Sequence, residues 1–136
     1  MRIKYDISLM KFITLFESLT QARVKDCIDH NGLLFVVEQN ELGKAVGRRG
    51  VKVQEVERAL QKRIKVVEFN PDLVEFVKNL ILPLQARDVQ VVDEVVIITG
   101  HDTKTKGLLI GRNAQNLRFD EDVVKRYFPI KEIKVV

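Results

Sequence analysis

The chain has one cysteine, three prolines, two histidines and no tryptophan among its 136 residues. Each shortage excludes something. A lone Cys27 cannot build an internal disulfide framework. With only His30 and His101 beside it, it cannot complete a Cys/His zinc site either. No stretch approaches 18 consecutive apolar residues, which excludes a membrane-spanning helix. The segment from Met1 to Asp6 has no long apolar run and no small-residue cleavage site, so no secretory signal is expected. Ser8 and Ser18 are the only serines, and both fall in the first predicted helix, where packing and solvent exposure account for them better than nucleophilic catalysis. Gly43-Lys44 lacks the Ser or Thr and the spacing of a P-loop, and no Gly-x-Gly-x-x-Gly occurs. The expectation is a reduced, cytoplasmic, non-enzymatic protein with no metal, cofactor, membrane or small-molecule substrate.

What is present is a large apolar share, 46%, enough to bury a core and exclude wholesale disorder. The net charge of +4 is modest, but its distribution is uneven. Residues 42–65 contain Lys44, Arg48, Arg49, Lys52, Arg58, Lys62, Arg63 and Lys65 against Glu55 and Glu57, a net +6 in 24 residues, so the remainder sums to −2. A patch of this kind attracts polyanions through phosphate contacts and counterion release.

Apolar positions 9, 12, 13, 16 and 19 recur at helical spacing, with Asp6 as the expected N-cap. Residues 22–28 and 33–37 read as strands joined by Asn31-Gly32, the strongest short hairpin signal. Residues 41–46 read as a short helix, then Gly47-Arg48-Arg49-Gly50 as a turn, 51–61 as a second helix and 64–69 as a strand. Asn70-Pro71-Asp72 then signals a helix start, with Asn70 as cap, Pro71 in the first position and Asp72 in the first turn. That helix ends before Pro83. Strands at 87–92 and 95–99 follow, separated only by Asp93-Glu94. A short helix at 105–110 leads to the turn Gly111-Arg112-Asn113-Ala114. A longer helical stretch reaches about Tyr127 with a break near Asp120, and 130–136 is a last strand. Asp120-Glu121-Asp122 reads as acids at a helix N-terminus, complementing its dipole, rather than as a metal or acid/base cluster.

The same order of elements occurs twice. Shifted by 64 positions, Leu42, Gly43, Val46, Gly47, Arg48 and Val53 fall on Lys106, Gly107, Ile110, Gly111, Arg112 and Leu117. After the turn the offset grows by about four, roughly one helical turn. The chain therefore reads as a tandem repeat of residues 1–70 and 71–136.

Gly-x-x-Gly between two helices has a physical use. Glycine lets another backbone approach closely, and the free N–H groups opening the second helix favour anions. Two arginines between the glycines add bidentate phosphate donors. Val46-Gly47-Arg48-Arg49-Gly50-Val51, after two antiparallel strands, resembles a KH domain, whose GXXG loop clamps single-stranded nucleic acid. The order α-β-β-α-α-β resembles the type II form. Two copies with almost no linker resemble the KH pair of the NusA transcription factors, and the chain length is similar to that of the archaeal NusA-like proteins.

That resemblance implies an α+β fold of two tandem type II KH domains, each a small three-stranded sheet packed against helices. It implies single-stranded RNA as the ligand and RNA polymerase as a further partner, in elongation, pausing, termination or antitermination. The alternatives are a ribosome-associated or rRNA-maturation factor, and an adaptor whose KH surfaces bind protein. Lys44, Val46, Gly47, Arg48, Arg49, Gly50, Val51 and Lys52 form the implied first RNA site. Lys106, Ile110, Gly111, Arg112, Asn113 and Ala114 form the second. There, Ala114 replaces the family's last glycine, and although a helical alanine is tolerable, its methyl narrows backbone approach; the second clamp is expected to be the weaker. The length leaves no room for the N-terminal polymerase-binding region and S1 domain that bacterial NusA carries. No aromatic lies close to either loop, so stacking on rings is not the expected mode of base recognition.

Overall fold

The computed structural model of the protein describes residues 7–136, so the expected Asp6 cap lies outside the described residues. Contacts divide the chain into two compact units, with the division between Asn70 and Pro71. No described helix is long and apolar enough to cross a membrane.

The first unit runs α1 (Ile7–Thr20), β1 (Val24–Asp29), β2 (Leu33–Val37), α2 (Leu42–Val46), a 3₁₀ turn over Arg48–Gly50, α3 (Val51–Leu60) and β3 (Ile64–Glu68). Its sheet has the order β1-β2-β3, antiparallel at the first pair and parallel at the second. The hairpin forms where Asn31 and Gly32 both take positive φ, 49° and 114°. A side chain at position 32 would run into the Arg63 carbonyl oxygen, so Gly32 also lets the β2–β3 junction close. Parallel pairing needs a crossover connection, and α2, the turn and α3 are that crossover. The Gly-Arg-Arg-Gly turn thus sits at the midpoint of an obligatory connection.

β2 is buried at each of its five residues. Phe35 stacks on Phe16 of α1, with ring centroids 4.2 Å apart, and Cys27, Val37, Ala45 and Val56 join the same core. The Cys27 thiol is pushed up to about 12, first by burial and then by Asp26 and Asp29. It remains a protonated, small apolar group.

The second unit runs α4 (Leu73–Ile81), β4 (Ala86–Val92), β5 (Val95–Gly100), α5 (Thr103–Ile110), a 3₁₀ turn over Arg112–Ala114, α6 (Gln115–Lys125) and β6 (Glu132–Val135). The sheet repeats the first: order β4-β5-β6, antiparallel then parallel. The two-residue hairpin lacks glycine, and Asp93 and Glu94 both take positive φ, 51° and 66°, as the twist of a two-residue connection requires.

Three local expectations are corrected. α4 is capped by Asp72, whose Oδ1 accepts the Val74 N–H at 3.0 Å, so Pro71 precedes the cap instead of opening the helix. A carboxylate that reaches the amide two residues ahead defines the start here. α6 is continuous through Asp120, which places Asp120-Glu121-Asp122 in the middle of a helix. Burial of Val123 and Val124 and the tertiary partner of Glu121 hold the helix together through the aspartates. Finally, the added residues of the second copy are not a helical turn. α6 has 11 residues against 10 in α3, whereas the connection to the last strand is 126–131 in place of 61–63.

α5 is also capped by an acid. Asp102 Oδ1 accepts the Thr105 N–H at 2.7 Å, and this bond holds the carboxyl below its usual range. A carboxyl whose pKa is lowered by folding contributes stability that is complete above its unfolded pKa and fades as pH falls through the folded value. Asp102→Asn keeps an acceptor but does not titrate. In acid-unfolding titrations followed by circular dichroism, the variant should therefore lose less stability than the parent below about pH 4.

Candidate nucleic-acid interface

Both turns have the same backbone. Gly47 and Gly111 take φ 76°, ψ 177° and φ 76°, ψ 173°, a region essentially closed to L side chains. Space is closed as well. A Cβ on Gly47 would lie 2.6 Å from Cγ of Lys52, and one on Gly111 2.7 Å from the Asn116 amide. Arg49 and Asn113 follow in the left-handed region, at φ 55° and 56°. The last positions, Gly50 and Ala114, are left-handed too, at φ 74° and 59°. Ala114 is therefore not helical, contrary to expectation. The turn imposes its shape on alanine, at a cost of about 1–2 kcal/mol. A Cβ at Gly50 would meet nothing within 4 Å, so this position faces open space in the first turn, and a methyl occupies it in the second.

α3 and α6 begin directly at these turns, and neither has a side-chain cap. Their opening amides keep the affinity for anions of an uncapped helix start. Arg48 and Arg49 are exposed and form no ion pair among the described residues. Lys44 is held by Glu41 at 3.2 Å and Lys52 by Glu55 at 3.8 Å. The Lys52–Glu55 pair is exposed on both sides and so weak, whereas Glu41 is buried beneath the exposed Lys44. Glu41 is fixed in turn by accepting the Arg23 N–H at 2.9 Å; this bond first, and Lys44 second, lower its pKa. Val46 is half-buried and Val51 is 44% exposed, so the loop has an apolar border.

In the second unit the same positions are chemically depleted. At the repeat offset, Leu108, Asn113 and Asn116 stand for Lys44, Arg49 and Lys52. Asn116 Nδ2 donates to the Leu108 carbonyl at 2.9 Å, tying the start of α6 to the end of α5. Leu108 is 49% exposed. Arg112 is exposed, Ile110 is half-buried, and the stem of Lys106 lies against Gly100.

Beside the second turn lies a groove whose walls the sequence alone did not identify. It has a volume of about 460 Å³ and lies between α6 and β6, with Ala114, Leu117, Arg118 and Glu121 on one wall and residues 132–136 on the other. The helical spacing of positions 114, 117, 118 and 121 marks them as one face, but only the sheet supplies the opposite wall.

No family model matches the chain. Among curated proteins it is similar to the probable transcription termination protein NusA of Methanococcus vannielii, 33% identical over 141 aligned positions, covering 100% of this chain and 81% of that protein. It is also similar to the protein of the same name from Halococcus morrhuae, 31% identical and covering 99% of each chain. Among solved structures, the crystal structure of APE1850 superposes with a TM-score of 0.75 at 28% identity, covering 97% of this chain and 100% of that one.

The left-handed alanine gives a direct test of the turn. Ala114→Gly should raise the unfolding free energy of the second unit by about 1 kcal/mol, and Gly50→Ala should lower that of the first by a similar amount. Gly47→Ala should cost more, about 3 kcal/mol, because conformation and space both oppose it. Denaturant unfolding of the three variants measures each difference.

Proposed function

The chain belongs to the archaeal NusA-like family of transcription termination proteins, and on that premise we propose that it captures single-stranded RNA with two tandem type II KH modules, residues 1–70 and 71–136. The family is one of transcription factors and not of enzymes. The observation that carries the proposal is the pair Arg48 and Arg49. Both are exposed and form no ion pair among the described residues, in a Gly-x-x-Gly turn that opens onto an uncapped helix.

In this reading the two guanidinium groups take phosphate oxygens of consecutive nucleotides bidentately. The first amides of α3 take a third charge at the helix start. Gly50 leaves the sugar-phosphate backbone room to approach. Lys44 and Lys52 exchange their carboxylate partners for phosphates, and Val46 and Val51 offer apolar surface to bases. Phosphate contacts position the strand without reading it. The second loop works mainly through Arg112, with Lys106 adding charge, Ile110 apolar surface, and Gly111, Asn113 and Ala114 the turn. Its missing cations and added methyl make it the weaker clamp. Bound to nascent RNA, with RNA polymerase as the second partner, the factor acts on elongation, pausing or termination. Co-purification of polymerase through nuclease treatment tests the partner.

Binding of a mixed-sequence single-stranded RNA, measured over a range of salt, tests the clamp. Arg48→Asp with Arg49→Asp should weaken binding by roughly two orders of magnitude and lower the salt slope by about 1.4, the contribution of two single-strand phosphate contacts. Because both side chains are exposed, the melting temperature should hold. Binding unchanged in this variant overturns the proposal.

The second loop gives the comparison. Arg112→Asp with Asn113→Asp should cost clearly less, roughly tenfold or below, since it removes one cation and not two. A larger loss than from the first loop would invert the assignment of the main clamp.

A further inference from the structure

Glu57 on α3 and Glu121 on α6 make the same bond. Glu57 Oε2 accepts the Ile64 N–H at 3.0 Å, and Glu121 Oε2 accepts the Ile133 N–H at 2.8 Å. The two glutamates are 64 residues apart, as are the turn glycines, while the two isoleucines are 69 apart. The bond is thus kept across a connection that differs in length, 61–63 against 126–131. Chain length therefore does not set the position of the last strand against the helix, whereas this bond is common to both copies.

The amides taken are on the open side of the strand. Val136 donates to the Ile98 carbonyl and its own carbonyl accepts from Gly100. By alternation, the N–H groups of Ile133 and Val135 point away from β5. In the first unit Phe69 donates to Val37, which places the Ile64 and Val66 amides on the outer edge in the same way. In the second unit Glu121 lies in the groove wall that starts at Ala114. One carboxylate therefore spans from the helix that follows the phosphate loop to the strand edge across the groove.

We propose that Glu57 and Glu121 are positioning residues for RNA, fixing the distance between the phosphate loop and the strand edge that faces it. The proposal rests on the clamp reading above. It makes a prediction opposite in sign to simple electrostatics. Removing a carboxylate near a polyanion site should tighten binding through charge alone, whereas losing the brace should loosen it.

The test uses the full chain with Glu57→Ala, Glu57→Gln and Glu57→Asp. It measures affinity for a mixed-sequence single-stranded RNA at fixed salt and amide hydrogen exchange at Ile64. Alanine should bind about fivefold more weakly, as expected for one lost hydrogen bond, although it removes a negative charge. Glutamine keeps the acceptor and should bind as well as the parent or better. Aspartate keeps the charge but shortens the reach, and should resemble alanine. Ile64 should exchange faster in the alanine and aspartate variants only. Alanine binding as tightly as the parent, while the Arg48 and Arg49 double variant loses binding, overturns the positioning role. If the arginine variant binds normally, the clamp reading fails instead, and unchanged Ile64 protection in Glu57→Ala then overturns the brace itself. Should the alanine variant fail to fold, equal affinities for glutamine and aspartate overturn the proposal.

Discussion

A backbone conformation closed to side chains governs each unit. At Gly47 and Gly111, φ near 76° with ψ near 175° lets the chain leave one helix and enter another within four residues. The first turn of the new helix packs where a Cβ would stand. Because the reversal is so tight, the crossover between parallel strands stays short, and the next helix opens at the surface with its first amides uncapped. The same geometry delivers the exposed charges of Arg48 and Arg49 to that surface.

Much of this was legible in the sequence for a local reason. Asn31-Gly32 marks its hairpin because both residues tolerate positive φ, and Gly47 and Gly111 mark the two turns. The duplicated element order showed through a fixed offset. What stayed hidden depended on partners distant in the chain. Nothing local in the sequence ties Glu57 or Glu121 to a strand amide; the bond shows only once the last strand is placed beside them. The groove needs β6 as its second wall. Asn70 and Asp72 are both good caps by type, and only the register of α4 selects the second. Ala114 misled in another way: alanine is the best helix former, but the turn overrides its propensity.

The two loops separate shape from charge. Their dihedral angles agree within about 15° at matched positions, yet three flanking cations of the first are Leu108, Asn113 and Asn116 in the second. The fold therefore retains the turn with three of the first copy's cations replaced. The side-chain bond from Asn116 to the Leu108 carbonyl gives the second turn a support of its own, where the first has Lys52.

Parallel pairing of β2 with β3 has a consequence for synthesis. The ladder of the first sheet involves only residues 24–68, so it is complete in covalent terms before α4 emerges from the ribosome. Within that interval the hairpin of β1 and β2 is available first. The run Leu33-Leu34-Phe35-Val36-Val37 then shows one unpaired edge until residues 64–68 arrive. Five consecutive apolar residues with an open edge are a template for pairing with another chain. The intervening helices and their glycine turn determine how long a nascent chain carries that exposed edge, so the speed with which the turn closes also limits misassembly during translation.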